Sequence, residues 1–261
     1  MRHDKTQKSI AAYMCRYISH IPARLDFMQS ATGFILAMFI AVHLLLEASI
    51  IISKEAMLAV SRFFEGYYFF GESYPGIISF LAGFIFVIFI LHALIAMRKF
   101  PASYRQYHLF KQHMLGFQHR DTTLWFYQAI SGFVMFFLAS VHLYMMLSNP
   151  AKIGPYASAD RVYSEWLWPL YLLLLFAVVI HAAIGIYRLI LKWGFFNSDK
   201  NHQQSRQFRG RMKKILLAAI IIYLSVGVLS LAMYMNIGYE YQYKAGQRYQ
   251  AAAFDIQESG K

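Results

Sequence analysis

A chain of 261 residues that is 58% hydrophobic and only 15% charged is a poor match for a soluble globular domain and suits a protein that is mostly membrane span. Its formal net charge of +12 is gathered at alternate ends of apolar segments, a topology signal that gives no reason to expect a nucleic-acid partner. Cys15 is the single cysteine, which excludes disulfides within the chain, cysteine-ligated iron-sulfur clusters and the covalent c-type haem motif, so a redox cofactor here needs other ligands.

Residues 1–26 are polar and basic, with no apolar run ahead of a small-residue cleavage site, and read as a cytoplasmic arm and not as a removable signal peptide. Five apolar segments follow, at about 27–52, 77–98, 125–148, 167–192 and 213–236. Each has the roughly 20 residues that a bilayer requires. Each is expected to be helical, because backbone groups in hydrocarbon must find partners within their own segment. The fold expected is an all-α membrane protein: five transmembrane helices over 27–236, with residues 237–261 as an extracytoplasmic tail. Of the 25 Lys and Arg, 18 flank the N-terminal arm, the second loop and the fourth loop, and 7 lie in the alternate loops and the tail. The positive-inside rule then places the N-terminus in the cytoplasm, as in a bacterial inner membrane, and the C-terminus outside. The same basic face could dock anionic lipid or an acidic partner subunit.

Each of the first four segments carries one histidine: His43, His92, His142 and His181. Hydrocarbon is a costly place for a titratable ring, so each is a candidate functional residue. A repeated frame surrounds them. Gln29, Thr32, Gly33, Phe34, Val42, His43 and Leu44 recur at the same spacing as Gln128, Ser131, Gly132, Phe133, Val141, His142 and Leu143. His92-Ala93-Leu94-Ile95-Ala96 is echoed by His181-Ala182-Ala183-Ile184-Gly185, so the first four helices read as a duplicated two-helix unit.

Counted from the inner helix ends, His43 and His142 stand 16 and 17 residues up, whereas His92 and His181 stand 6 and 11. The histidines therefore fall in two layers about 12 Å apart at the helical rise of about 1.5 Å per residue. Two histidines at matched depth on different helices suit a six-coordinate b-type haem, one imidazole on each face of the iron. The pairs expected are His43 with His142 in an outer layer and His92 with His181 in an inner one. Gly33 and Gly132 lie near the inner depth, where a missing side chain could admit the porphyrin or simply serve small-residue helix packing. Zinc fits poorly, since its usual sites gather three or four ligands at one point. Cytochromes of the quinol:cytochrome c oxidoreductase type take two ligands from one helix, unlike this chain.

The chain resembles the dihaem cytochrome b membrane anchor of the succinate dehydrogenase and quinol:fumarate reductase family, the five-helix, single-polypeptide type. The likeness spans roughly residues 20–236. It rests on Pro22-Ala23-Arg24-Leu25-Asp26 leading to Gln29-Ser30-Ala31-Thr32-Gly33, on Ala96-Met97-Arg98-Lys99-Phe100-Pro101 and Tyr104-Arg105-Gln106-Tyr107, and on Asp121-Thr122-Thr123-Leu124-Trp125. Ser140-Val141-His142-Leu143-Tyr144, Ser164-Glu165-Trp166, Trp168-Pro169-Leu170-Tyr171, Tyr187-Arg188-Leu189 and Lys192-Trp193-Gly194 extend it.

The resemblance implies two haem b groups on His43, His92, His142 and His181, with menaquinone or menaquinol as substrate. It implies two cytoplasmic partners, a flavoprotein and an iron-sulfur subunit, because this chain has neither a flavin fingerprint nor the cysteines for clusters. Glu65, ten residues before Pro75, matches the family's quinol-site carboxylate; without the match it reads as a solvated loop charge. Gln29, Ser30, Trp125 and Lys192 match positions near the inner haem propionates, and Arg161 is the comparable candidate for the outer haem. Ordinary roles compete: Trp125 as an interfacial anchor, Lys192 snorkelling to the headgroups. One departure stands out. Some members carry a glutamate two residues before the fourth ligand, where this chain has Val179, so a proton route built on it is absent or built differently. His108, His113, His119 and His202 read as loop residues, and Asp121 with Thr122 and Thr123 as a helix cap. Two alternatives remain open: an anchor for another quinone-linked dehydrogenase, such as a hydrogenase or formate dehydrogenase, and a haem-free transporter or scaffold.

Overall fold

In the computed structural model, residues 2–100, 103–117, 120–194, 202–247 and 249 are described, and within them the side chains of 2–19, 110, 113–117, 120–122, 202–203 and 244 are not. The side chains of Cys15, His113, His119, Asp121, Thr122 and His202 lie outside the described residues, as do residues 250–261 of the tail. Five helices are long and apolar enough to cross a bilayer: His20–Ile52, Gly76–Met97, Thr123–Ser148, Trp168–Trp193 and Gln204–Glu240. They match the five apolar segments, and the first and last run well past them. A helix needs backbone hydrogen bonds to continue, and polar residues beyond the hydrocarbon supply those as readily as apolar ones.

We number the helices α1 (Arg2–Glu47), α2 (Ser49–Ile52), α3 (Lys54–Phe64), α4 (Tyr67–Phe70), α5 (Gly76–Met97), α6 (Tyr104–Phe117), α7 (Arg120–Ser148), α8 (Pro155–Tyr163), α9 (Trp168–Trp193) and α10 (His202–Glu240). No strand occurs among the described residues. The long helices close a ring in which α1 packs on α5, α5 on α7, α7 on α9 and α9 back on α1. α1 and α7 therefore face each other across one diagonal, and α5 and α9 across the other. α10 stands outside the ring against α8 and α9.

The lengths between α1 and α5 and between α7 and α9, read from sequence only as loops, contain short helices. Ser53 caps α3, its Oγ accepting from the Ala56 amide at 3.0 Å, and Met57, Leu58 and Ser61 form that helix's buried face. α4 is bracketed by Gly66 (φ 80°) and Gly71 (φ 77°), left-handed conformations that glycine adopts without Cβ strain. α8 starts with Pro155, whose missing N–H is harmless in a first turn.

Two apolar clusters hold the molecule together. The central one includes Ile85, Phe89, Met135, Leu143, Leu175 and Val179, and the other gathers Ile50, Met57, Ala159, Val162, Tyr234 and Ile237 beneath α8. Large apolar residues such as Phe80, Phe133 and Ile222 point outward, as expected where the solvent is lipid. Below α8 the chain end folds back over α3. Lys54 Nζ donates to the Tyr241 hydroxyl at 3.1 Å and lies 4.4 Å from that ring's centre, while the Tyr249 hydroxyl donates to Glu55.

Candidate functional site

The four histidines project into the middle of the ring and line one cavity of about 1080 Å³. That volume is just above the usual range for cofactor sites, roughly 300–1,000 Å³. The rings meet in pairs across the diagonals. His43 on α1 and His142 on α7 have centroids 6.2 Å apart, and His92 on α5 and His181 on α9 have centroids 6.4 Å apart.

These separations test the fit of a metal between the rings. Metal–nitrogen bonds of about 2 Å, with each ligating nitrogen about 1 Å from its own ring centre, set the centroids of two trans imidazoles roughly 6 Å apart. Both pairs meet that spacing, and two side chains in direct hydrogen-bond contact would not require a cavity of this size around them. Among the described residues no group of three or more His, Cys, Asp or Glu is placed to hold a metal ion. The donor set offers two nitrogens per layer, which fits a planar tetrapyrrole that would supply the rest.

Backbone and hydroxyl groups fix the tautomers of the pair on α5 and α9. Thr32 Oγ1 donates to the Met28 carbonyl at 2.7 Å, which leaves a lone pair to accept from His92 Nδ1 at 3.1 Å. His181 Nδ1 donates to the Gln128 carbonyl at 2.9 Å. With the proton held on Nδ1, Nε2 carries the bare lone pair a metal needs. Gly33 and Gly132 make this possible. A Cβ on Gly33 would stand 2.9 Å from His92 Cε1, and one on Gly132 would stand 2.7 Å from His181 Cε1. The space each glycine leaves is filled by an imidazole of the next helix in the ring. At the other pair, the His43 ring stacks on Phe39 at 5.4 Å and His142 meets Tyr171 edge-on at 5.6 Å. His142 Nδ1 is buried with no hydrogen-bond partner.

The cavity ends are polar. At the end nearer His92 and His181, Lys192 Nζ donates to Ser30 Oγ at 2.8 Å and to the Asp26 carbonyl at 3.0 Å. Gln29, Ser30, Trp125 and Lys192, matched from sequence one by one, all line this end. Gln29 Oε1 is buried there without a partner, and turning the amide over would offer its N–H groups to an anion. Two further cations belong to the same end and were not singled out from sequence. Arg188 Nη1 donates to Gln128 Oε1 at 2.7 Å, and Lys99 lines the cavity while Nζ pairs with Asp26 at 3.0 Å. Their signal was the i, i+7 spacing of His181 and Arg188, which puts both on one helix face.

At the opposite end Arg161 is buried on α8. It donates to the Lys152 carbonyl and, from Nη2, to Ser158 Oγ at 3.1 Å, and it lines the cavity with His142 and Tyr171. Glu65 is fully buried in the turn between α3 and α4, not a solvated loop charge. Its amide donates to the Ser61 carbonyl at 3.0 Å and its carbonyl accepts from the Tyr74 amide at 2.8 Å. Ser61 and Phe64 line the cavity, and Glu65 adjoins them without lining it. Val179 is packed in the apolar core. His108 is exposed on α6, away from the cavity. Glu47 and Tyr234 complete this end; neither was picked out from sequence.

Residues 103–228 match the family model described as succinate dehydrogenase/fumarate reductase transmembrane subunit. A fumarate reductase cytochrome b subunit of Wolinella succinogenes is 46% identical over 222 residues, covering 85% of this chain and 85% of its own length. The chain belongs to this family. The fumarate reductase cytochrome b subunits of two Helicobacter pylori strains are also 46% identical over 222 residues, with 85% of this chain and 84% of theirs covered. A multi-pass membrane subunit of a redox complex is thus the setting for the two histidine pairs.

Proposed function

We propose that this chain is the membrane anchor and electron-transfer subunit of a quinol:fumarate reductase, or of a succinate:quinone oxidoreductase running the other way, with two b-type haems. His92 and His181 hold the inner haem and His43 and His142 the outer. The observation that carries the reading is the pair of cross-diagonal imidazole contacts, 6.2 and 6.4 Å between centroids, inside one cavity. When bound, the haems supply one-electron carriers across the bilayer.

The residues supply the rest. Thr32 and the Gln128 carbonyl hold the inner imidazoles by Nδ1 and so keep Nε2 turned to the cavity. Lys192, Gln29, Ser30 and Trp125 present donors where the propionates of the inner group would lie, and Arg161 does so at the outer end. The apolar residues around Phe89 and Leu175 line the cavity between the layers and make it unfavourable for water. Quinol oxidation releases two protons with two electrons, so its site needs a proton acceptor within hydrogen-bond reach of the ring. Glu65 takes that part, held in a fixed turn beside the cavity wall, and menaquinol is the substrate. The basic inner face, N-terminus included, docks an iron-sulfur subunit and through it a flavoprotein that bears the dicarboxylate site.

The test is quinol:fumarate turnover in the intact complex with Glu65→Gln. Loss of about 10²-fold or more is expected with both haems retained. Unchanged turnover at unchanged haem content removes Glu65 from the mechanism, and a purified wild-type complex without b-type absorption removes the haem reading altogether.

A further inference from the structure

Glu47 is the only acidic side chain lining the cavity among the described residues. It lies within the His20–Ile52 span, where an ionisable group is costly and faces the bundle interior. One helical turn past His43, it shares that residue's face of α1. Tyr234, 187 residues away on α10, donates its hydroxyl to Glu47 Oε2 at 3.0 Å. Tyr234 itself is buried in the apolar cluster with Ile50, Met57 and Ile237.

The surroundings define what this carboxylate can do. The titratable and charged groups that face it or its partner are Tyr234 from α10, Tyr171 from α9, Arg161 from α8, Glu165 from the turn after α8, His43 from its own helix and His142 from α7. Tyr234 is a neutral donor, so it orients the carboxylate without cancelling its charge. Arg161 is the one cation in the group. An electron arriving in this low-dielectric space removes one unit of positive charge beside the carboxylate, and the lost attraction there is several times stronger than in water. Binding a proton restores the balance. Among the described residues no other carboxylate lines the cavity, which makes Glu47 the one on which the cavity can place that proton.

Resting on the function proposed above and deepening it, we propose that Glu47 is a redox-linked proton acceptor of the outer half of the cavity, with Tyr234 as its positioning residue. For each quinol, two O–H bonds break and two electrons leave one at a time. With each electron that a haem held by His43 and His142 would receive, one of the released protons would bond to the Glu47 carboxylate. On passage of that electron toward His92 and His181, the O–H bond would break and the proton would leave to water on the outer face. One proton accompanies one electron, and the carboxylate is restored after each step.

The test uses the intact complex. In the wild type the reduced-minus-oxidised infrared difference spectrum is expected to show a protonated-carboxyl band that shifts in D2O, and the outer haem's potential is expected to fall as pH rises. Glu47→Gln should abolish the band, flatten that pH dependence and slow quinol:fumarate turnover by about tenfold or more with haem content intact. Tyr234→Phe should keep the band and displace it, because the carboxyl loses its hydrogen bond. A band or a pH slope that persists unchanged in Glu47→Gln overturns the proposal. If that variant fails to assemble, Tyr234→Phe decides, and an undisplaced band overturns it. A wild type lacking b-type absorption defeats the haem reading itself, whereas intact haems with no response at Glu47 defeat this inference alone.

Discussion

On the function proposed above, Gly132→Ala should empty one haem site and spare the other. The added Cβ would stand 2.7 Å from His181 Cε1 and 3.0 Å from Nδ1, against ordinary carbon contacts of roughly 3.5–4.0 Å. The imidazole must therefore retreat by about 1 Å, or α7 and α9 must part. Retreat stretches the 2.9 Å bond from Nδ1 to the Gln128 carbonyl and leaves a buried donor and acceptor short of a partner, at a cost of about 1–3 kcal/mol. Overpacking of the interface adds about 1–3 kcal/mol. The sum, about 2–6 kcal/mol, matches or exceeds what metal sites lose when a ligand's supporting bond is removed, about 10–100-fold in affinity or about 1.4–2.7 kcal/mol. The assay is haem per chain in the purified complex, with a redox titration to show which component is missing. One haem is expected, the retained one being that of His43 and His142. Gly83→Ala is the matched control. Its Cβ meets only Leu147 Cδ1 at 3.5 Å, an ordinary contact, so it should be neutral or add up to about 1 kcal/mol through helix propensity. Two haems of unchanged potential in Gly132→Ala would refute the close-approach argument.

His142→Ala is expected to remove the outer haem alone and halve the haem content, because its partner His43 lies on a separate diagonal from His92 and His181; loss of both haems would show that the two sites form as a unit. The segment that returns over α3 should be released at either pH extreme. The Tyr249 hydroxyl, by donating to Glu55, holds that carboxyl below its usual range, and burial followed by the same bond pushes the Tyr249 phenol up. A depressed acid stabilises above its unfolded value and that support is lost as pH falls through the folded value, below about pH 4. A raised phenol stabilises below its unfolded value of about 10 and that support is lost as pH rises through the folded one. Hydrogen-exchange protection of residues 241–247, taken relative to the pH-dependent intrinsic rate, should accordingly be highest between those limits, and a flat profile of protection across them would contradict the contact.

Much of the site was legible because its residues are anomalous where they stand. A histidine, a lysine or a buried glutamine in an apolar helix declares itself against the cost of burying polarity in hydrocarbon. His43, His92, His142 and His181, with Gln29 and Lys192, were found on that ground and through the resemblance. Glu47 escaped notice because it falls outside the repeated frame and the quoted motifs, and because its partner Tyr234 is 187 residues away. Glu65 was readable as a match to a motif, yet its complete burial depends on how α3 and α4 fold, and no membrane-spanning pattern encodes that.

The sequence by itself determined five membrane-crossing helices, the side on which the basic residues collect and the depth of each histidine, because hydrocarbon imposes length, helicity and charge placement one segment at a time. Tertiary structure alone decided the ring order, which sets α1 against α7 and α5 against α9 across the centre. It also decided that Gly33 and Gly132 make room for imidazoles and that Arg161, Glu47 and Tyr234 meet at one end of the cavity. The reason is physical. Lipid is as apolar as the bundle interior, so these helices are apolar on every side and carry no stripe to say which face turns inward. That choice is made by shape and by a few hydrogen bonds between helices, and it exists only once the helices are packed.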